Sequence, residues 1–465
     1  MGTPMTGQQR LVVAIAALAS GVAFLDGSVV NVALPAITAE IGGGLIAQQW
    51  TVDGYLLTLS ALILLAGSVS DAYGRLLVLR IGLIGFGVAS LAVALAPTPL
   101  ILVIARLLQG AAGAFLVPSS LALITSAITG ERQARAIGAW TALTTSAMVA
   151  GPLLGGLFVD FLSWRFVFLI NVVPIAVALW LITRLDHPDE RSPDAHIDIL
   201  GAALCTVGLG GAVFALIEQP NYGWSSPVIW VPLLLGLAMF AAFLWRQRTV
   251  RTPLLPLDLF RARNYAMGNL ATLAIYAALS LNGFVVAIYL QEEAGLPATL
   301  AGLASLPTTL LVIALSSRAG ALSSRYGPRL FMTVGPLIMA IGALLLLSVS
   351  DDFDYWTQVL PSMLVFGVGL GATVSPLTAA ILGSADPAHS GIASAVNNAV
   401  ARVAGLLAIA MLAPIIGGML DLTGFHRAAV TTAVFLTAGA VVSFLGIRNS
   451  PIPNPSGRGI RPLPD

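Results

Sequence analysis

The chain has 465 residues, of which 57% are hydrophobic and 9% are charged, and its mean hydropathy is +0.93. Soluble domains average about 25% charged and about 45–50% apolar residues, so this composition excludes an ordinary soluble protein. It is typical of a protein that crosses a membrane many times. The formal net charge of +1 gives no electrostatic reason to expect a nucleic-acid partner. The single cysteine, Cys205, excludes an internal disulfide and lacks metal-ligand spacing, so no metal site is predicted.

Long apolar runs recur from one end of the chain to the other. Most are long enough for a helix to cross about 30 Å of hydrocarbon. The first run has no small-residue cleavage site behind it, which predicts a retained span rather than a signal peptide. The sequence therefore predicts an all-α integral membrane protein with fourteen transmembrane helices. The predicted spans are 11–37, 48–70, 77–96, 98–124, 134–160, 165–184, 197–219, 227–248, 265–290, 298–320, 329–350, 356–382, 390–418 and 427–446.

Arginine placement orients these spans, since the chain contains no lysine and all 22 basic residues are arginine. With the N-terminus inside, 18 of the 22 fall in inside loops or at their membrane edges. Arg165 and Arg427 fall outside, and Arg106 and Arg402 lie within spans. Positive residues concentrate on the cytoplasmic side of membrane proteins. The distribution therefore predicts a multi-pass protein of the plasma (inner) membrane with both termini in the cytoplasm.

Two sets of short segments repeat between the halves of the chain. GSVSDAYG (Gly67–Gly74) ends the second span and GALSSRYG (Gly320–Gly327) ends the tenth, with Gly, Ser, Tyr and Gly in register. GAFLVP (Gly113–Pro118) and GATVSP (Gly371–Pro376) hold matching places in the fourth and twelfth spans. Related halves that face each other are the usual build of a secondary transporter, with the substrate bound between them. The predicted domains are an N-terminal six-helix bundle (1–184), a linker with two additional helices (185–264), a pseudo-symmetric C-terminal six-helix bundle (265–448) and a cytoplasmic tail (449–465).

The glycine loop after the second span is the first candidate for a moving part. Gly67 and Gly74 permit close packing and a tight turn between the second and third spans. Asp71 is well placed to cap or pair with the start of the third span, with Arg75 as one partner. Such a latch would hold one arrangement of the halves and act as a gate. A plain connecting turn is the alternative interpretation.

The fifth span carries a second candidate, the pattern Gly151-Pro152 followed by Gly155-Gly156. Pro152 removes a backbone hydrogen bond and kinks the helix. The glycines leave a flat face against which a neighbouring helix can pack closely. A kinked, closely packed helix can seal the path while the halves rock. Simple tight packing is the alternative, and it does not exclude the first interpretation.

Three charges of the N-terminal half are predicted to lie in one membrane layer, on three different helices: Asp26, Asp53 and Arg106. A charge in mid-membrane costs about 2.5–3.5 kcal/mol on insertion scales and usually faces a cavity or a partner. One arginine can satisfy only one carboxylate, and the other is left as a candidate proton site. We interpret the two acids as the proton and substrate coupling site, with Arg106 linking protonation to helix arrangement. The alternative makes Asp26 and Arg106 a structural pair and leaves Asp53 wetted at the interface.

The thirteenth span of the C-terminal half holds a fourth buried charge, Arg402, beside Asn397 and Asn398. Arg402 either binds asparagine and backbone carbonyls or faces a central cavity, and the two asparagines are candidate cavity residues with it. With a net charge of −1 in the buried layer of the other half, the sequence favours lipophilic monocations or neutral compounds as substrates.

Several motifs resemble the successive signatures of one transporter family. LDGSVVNVALP, GSVSDAYGR, ARLLQGAAGAFLVP and AMVAGPLLGGLF are similar to those of the major facilitator superfamily. WTVDGYLL, IDILG and PLLPLDLFRARNY resemble its fourteen-span drug:proton antiporters. The resemblance runs from Leu11 to about Arg448, although basic residues usual in the glycine loop are replaced by Ala72 and Leu76. It implies a proton-driven, monomeric multidrug exporter of small, mostly apolar molecules that needs no cofactor.

Other classes of function fit the sequence less well. No GxxxxGK[ST] loop is present, so the chain cannot use ATP through that motif. A membrane enzyme would need a cluster of His, Cys, Asp or Glu near one interface, and none is apparent. A two-bundle repeat with kinked helices favours alternating access over an ion channel. The expected partners are therefore a small molecule, protons and the lipid bilayer, and export of an endogenous lipid, metabolite or antibiotic stays open beside drug export.

Overall fold

A computed structural model describes residues 5–186, 189, 197–386 and 390–449, and all regular structure in these residues is helical. Within them, thirteen helices are long and apolar enough to cross a membrane, and one shorter apolar segment follows the fifth. Together they occur in the predicted order, so the predicted fold class is confirmed. The spans are Gly7–Ile41, Gly44–Tyr73, Arg75–Ala94, Pro99–Ala127, Glu131–Phe161, the shorter Phe166–Ile182, Ile199–Tyr222, Pro227–Thr249, Arg263–Glu292, Ala298–Tyr326, Pro328–Ser348, Tyr355–Leu382, Gly391–Ala410 and Leu422–Gly446. Of the predicted tail, only Asn449 lies among the described residues.

The first span is longer than its apolar run because a capping box starts it early. The Thr6 side chain accepts a hydrogen bond from the backbone N–H of Gln9 at 3.2 Å. The Gln9 side chain accepts one from the backbone N–H of Thr6 at 3.1 Å. This reciprocal pair satisfies two amide groups that a helix start leaves free.

The thirteenth span ends earlier than predicted, and the expected continuous helix to residue 418 is wrong. It stops at Ala410, and a separate short helix, Leu412–Ile416, follows. Pro414 explains the break, since its ring clashes with the carbonyl four residues earlier and it has no N–H to donate. The carbonyls of Ile409 and Ala410 instead accept hydrogen bonds from the Gln49 side chain of the second span, at 2.6 and 3.4 Å.

Helix packing places the two additional helices beside the N-terminal half. The first span packs against the fifth, the second against the fourth, and the ninth against the thirteenth and fourteenth. The seventh and eighth spans pack against each other, and the seventh also lies against the second. The second span therefore lies between its own half, the thirteenth span and the additional helices.

The two halves meet closely at the end of the molecule opposite the described ends of the chain, which we call the distal end. Gly156 of the fifth span packs against the backbone of Thr299, at the start of the tenth. Gln48 of the second span donates a hydrogen bond to Glu292 of the ninth at 2.6 Å. Nearer the chain ends, in contrast, half of residues 131–150 of the fifth span are exposed and only Ala136 and Thr144 are buried. The structure is closed at the distal end and more open at the other, which we call the terminal end.

Candidate functional site

A fully buried ion pair joins the first and fourth spans. Arg106 Nη1 lies 2.6 Å from Asp26 Oδ2, and neither side chain is exposed to solvent. Arg106 Nε donates a hydrogen bond to the Thr51 carbonyl of the second span at 2.8 Å. The guanidinium group also lies over the Tyr55 ring, 4.4 Å from its centre, where a cation is attracted to the aromatic face. One arginine thus links three helices.

Two buried amides complete the shell around Asp26. Its Oδ1 accepts hydrogen bonds from Gln109 Nε2 and Asn171 Nδ2, each at 2.9 Å. The Ser90 hydroxyl accepts from the same two amides, at 2.9 and 3.4 Å. Sequence reasoning missed these three residues, although polar side chains within apolar spans are a usable signal. The carboxylate therefore has donors on both oxygens and is well satisfied as an anion.

Asp53 lies in the same layer but is not part of this cluster. It is fully buried, and neither carboxylate oxygen has a hydrogen-bond partner within the described part of the chain. One turn further along the second span, Leu57 packs in a cluster with Val213 of the seventh and Leu406 of the thirteenth. Residues four apart share a helix face, so Asp53 points toward these helices and away from Arg106. The structure thus joins two of the three predicted charges. The Asp26–Arg106 pair of the alternative interpretation is present, but its wetted Asp53 is wrong, because Asp53 is buried.

A cavity of about 340 Å³ lies between the halves, next to the ion pair. Arg402 and Asn398 both line it, and Asn398 is exposed there. Asn397 does not line it and instead donates hydrogen bonds to Asn269 and Thr272 of the ninth span, at 3.1 and 3.0 Å. Its predicted place in the cavity is wrong, because neighbouring helical residues point about 100° apart. The other lining residues are Ala23, Phe24, Gly27, Ser28, Val30, Asn31, Val52, Tyr55, Leu56, Arg106, Met148, Tyr276, Ser280, Ala401, Gly405 and Ile409.

The described lining of the cavity lacks the carboxylate on which the predicted preference for lipophilic monocations or neutral compounds depended. That preference assumed that one carboxylate of the N-terminal half faces the substrate. Asp26 is bonded on both oxygens and Asp53 faces other helices, and neither lines the cavity. Among the described residues, the charge that does face the cavity without a bonded counter-ion is that of Arg402.

The glycine loop matches the prediction in part. Gly74 does make the tight turn, with φ of 102°, a conformation that glycine adopts readily. Within the described part of the chain, Gly67 has no neighbouring atom within 4 Å of where a Cβ would lie, so its predicted close packing is wrong. Asp71 and Arg75 form a partly exposed ion pair, with Arg75 Nη2 3.5 Å from Asp71 Oδ1, so the predicted pairing is confirmed.

The cap of the third span comes from Asp189, in the segment after the sixth span. Its carboxylate accepts hydrogen bonds from the backbone N–H groups of Leu76 and Leu77, at 3.0 and 3.1 Å. Asp71 cannot reach them, because it lies in the last turn of the second span and helical side chains tilt back toward the N-terminus. The predicted cap by Asp71 is therefore wrong.

The glycine and proline pattern of the fifth span makes the close contacts that the sequence indicated. Gly151 and Gly155 pack against Ser28 and Val29 of the first span, where added Cβ atoms would clash. Gly156 makes its contact across the halves. Pro152 lies inside a continuous helix, and its carbonyl packs against Gly302 of the tenth span.

An acid at the end of the same span, Asp160, extends this contact. Its carboxylate accepts hydrogen bonds from the backbone N–H groups of Ala298 and Thr299, at 3.0 and 2.8 Å. These amides begin the tenth span, so an acid of one half caps a helix of the other. Asp160 was not predicted from the sequence, because no local pattern around it identifies the start of the tenth span as its partner.

Comparison with known proteins gives the family. The chain matches the Major Facilitator Superfamily over residues 16–409. It is 32% identical over 447 residues to the methylenomycin A resistance protein of Bacillus subtilis (strain 168), which covers 96% of this chain and 94% of that protein. It is 34% identical over 398 residues to the puromycin resistance protein of Streptomyces alboniger, which covers 83% of this chain and 78% of that protein. The chain belongs to the major facilitator superfamily.

A solved structure shows the same fold at low sequence identity. A bacterial homologue of the human lysosomal transporter Spinster superposes with a TM-score of 0.67 at 15% identity, over 95% of this chain and 97% of that one. Membership of the superfamily makes the protein a multi-pass membrane transporter of small molecules and not an enzyme. The resemblance stated from the sequence motifs is confirmed.

Proposed function

We propose that the protein exports small lipophilic compounds in exchange for protons, by alternating access between two arrangements of its halves. The observation that carries the proposal is Asp53, a fully buried carboxyl group without a hydrogen-bond partner among the described residues. Burying an ionised carboxylate without a donor costs far more than burying its neutral form. The site is therefore suited to a group that holds a proton in one arrangement and releases it in another.

Coupling to the halves follows from what else the second span contacts. The turn that holds Asp53 also contains Thr51, whose carbonyl accepts from Arg106. Near the distal end of the same helix, Gln48 and Gln49 donate to the ninth and thirteenth spans. Ionised Asp53 needs water or a donor, and it gains either one only if these contacts shift. Loss of the proton would thus favour a rearrangement of the second span against the other half.

The gates of the proposed cycle lie at the two ends of the molecule. The contacts of Gly156 and Asp160 with the tenth span close the distal end in this arrangement. The glycine loop at Gly74, capped by Asp189, lies at the terminal end. In the proposed orientation both termini are cytoplasmic, the membrane is the plasma membrane, and a monomer works without a cofactor on the proton gradient.

The substrate class is drawn from the relatives and from the cavity. The two relatives are named for resistance to methylenomycin A and to puromycin. Export of antibiotics, whether foreign or made by the producing cell, therefore fits the same proposal. A specific endogenous lipid or metabolite is the remaining alternative.

Proteoliposomes with an imposed pH gradient test the proposal, with a panel of lipophilic probes that includes puromycin. At least one probe should accumulate against the proton flow, and a protonophore should stop it. Asp53→Asn should abolish this transport, and Asp352→Asn, at an exposed acid outside the proposed machinery, serves as the matched control. Accumulation that continues without any proton gradient, or in the Asp53→Asn protein, would contradict the proposal.

A further inference from the structure

The cavity between the halves contains a positive charge without a bonded counter-ion. Arg402 lines it, and its Nε is buried and lacks a hydrogen-bond partner within the described residues. No ion pair of Arg402 is formed among those residues either. A buried donor left unbonded is costly, and a charged one more so. Such a group in a ligand-sized space indicates that a ligand completes it.

The other charges near the cavity do not compensate Arg402. Arg106 also lines the cavity, but its charge is already balanced by Asp26. Asp53 lies on the face of the second span toward the additional helices. The charge available to a ligand in this cavity is therefore positive.

The remaining lining combines neutral polar groups with apolar surface. Asn398 is exposed, and the side-chain oxygen Oδ1 of Asn31 is buried without a hydrogen-bond partner among the described residues. Phe24 and Tyr276 present aromatic surface, and Met148 is a flexible side chain that adapts to different shapes. A volume of about 340 Å³ is at the lower end of the range of small-molecule sites.

We propose that Arg402 binds an acidic or strongly accepting oxygen group of the substrate, so that the transported compounds include lipophilic monoanions. A guanidinium group matches a carboxylate with two parallel hydrogen bonds, which fixes the position of the ligand as well as its charge. The aromatic and methionine side chains then contact the apolar remainder. This inference rests on the proposed export function and adds the charge class of its substrates.

The charge class has a consequence for the driving force. Exchange of a neutral compound for one proton moves one charge across the membrane, and exchange of a monoanion for one proton moves two. In a cell that is negative inside, the membrane potential therefore assists export of the anion more strongly. Anion export should depend more steeply on an imposed potential than export of a neutral analogue.

A matched pair of probes tests the inference on purified protein in detergent. Pyrenebutyrate carries a carboxylate, and its methyl ester has nearly the same shape without the charge. The carboxylate should bind about tenfold more tightly than the ester, the difference expected for a charged hydrogen bond. Arg402→Gln should remove this preference and leave binding of the ester unchanged. Arg248→Gln, at an exposed arginine of the eighth span, is the matched control.

Other outcomes would overturn the inference. Equal binding of the two probes by the unaltered protein would do so, as would an unchanged preference in the Arg402→Gln protein. If that variant does not fold, Arg402→Lys is the second test, because lysine keeps the charge but cannot form two parallel hydrogen bonds. The Arg402→Lys protein should prefer the carboxylate less strongly than the unaltered protein does. A preference equal to that of the unaltered protein would count against the inference. The proposed function has a separate test: it fails if neither probe nor any other compound is transported in exchange for protons. The binding comparison decides the role of Arg402 whatever the result of that transport test.

Discussion

The two halves share a helical plan but treat buried polarity in opposite ways. In the N-terminal half, Asp26 and Arg106 form an ion pair that neutral amides surround. In the C-terminal half, Asn397 bonds to Asn269 and Thr272 in a neutral network. The charged side chain of Arg402, in the thirteenth span, lines the cavity. The difference teaches that the repeat preserves helix geometry, while among the described residues the buried ion pair lies in one half and the unpaired charge that lines the cavity lies in the other.

The loops at the terminal end repeat the same contrast. Gly74 and Gly327 both turn with positive φ, 102° and 85°, before the third and eleventh spans. Each following helix is capped by a residue after the last span of its half, Asp189 in one and Asn449 in the other. The position of the cap is conserved between the halves, but its charge is present in only one.

The largest expected effect comes from breaking the ion pair. Asp26→Asn leaves Arg106 buried without its counter-ion, and loss of one partner of a buried pair costs about 3–5 kcal/mol. We expect a large drop in the thermal unfolding temperature and no proton-driven transport. The double variant Asp26→Asn with Arg106→Gln should regain stability, since no charge is stranded, but not transport. An Asp26→Asn protein that is as stable as the unaltered protein and transports normally would show that the ion pair contributes neither to stability nor to transport.

Asp53→Asn should separate stability from function. The amide has nearly the same shape and removes the titratable proton without stranding a charge, because Asp53 has no bonded partner among the described residues. Unfolding should change by less than about 1 kcal/mol, as expected for a nearly isosteric change that breaks no contact. Probe binding should remain and proton-coupled transport should be lost. A variant that still couples transport to the proton gradient would remove Asp53 from the mechanism.

Asp160→Asn tests the contact that closes the distal end. The carboxylate accepts from two backbone amides, and an asparagine has only one oxygen to accept with. Loss of one charge-assisted hydrogen bond weakens the closed arrangement by about 1.5–3 kcal/mol. Spin labels on Leu162 and Glu293 should report a larger population of long distances at the distal end. Asp352→Asn, at an exposed acid, is the control, and an unchanged distance distribution would exclude Asp160 from the gate.

The fold and part of the site could be predicted because the signals are local. Apolar runs give the spans, and the glycines at Gly151, Gly155 and Gly156 give close helix contacts. The closeness of Asp26 and Arg106 could be predicted because charged residues are scarce within the spans, so each had few possible partners.

The rest depends on contacts that the sequence does not contain. The direction of Asp53 is set by which faces of the second span other helices cover. The caps by Asp189 and Asp160 join residues more than 110 positions apart in the chain. Neither partner has a local pattern that identifies the other.

The smallest expected effect sharpens the comparison between the two loops. Asp189→Asn removes the charge of the cap on the third span, as in the other half, and also one of its two hydrogen bonds, for which water can substitute at the exposed Leu77 amide. A charge at a helix N-terminus is worth about 0.3–1 kcal/mol at an exposed site. The reverse change, Asn449→Asp, adds that charge at the eleventh span, where Asn449 accepts from Arg329 N–H at 3.2 Å. We expect Asp189→Asn to lower and Asn449→Asp to raise the unfolding temperature slightly, both less so at high salt because ions screen the charge. Equal effects of the same sign, or no dependence on salt, would show that the caps act through hydrogen-bond geometry alone and that the charge difference between the halves has no effect on stability.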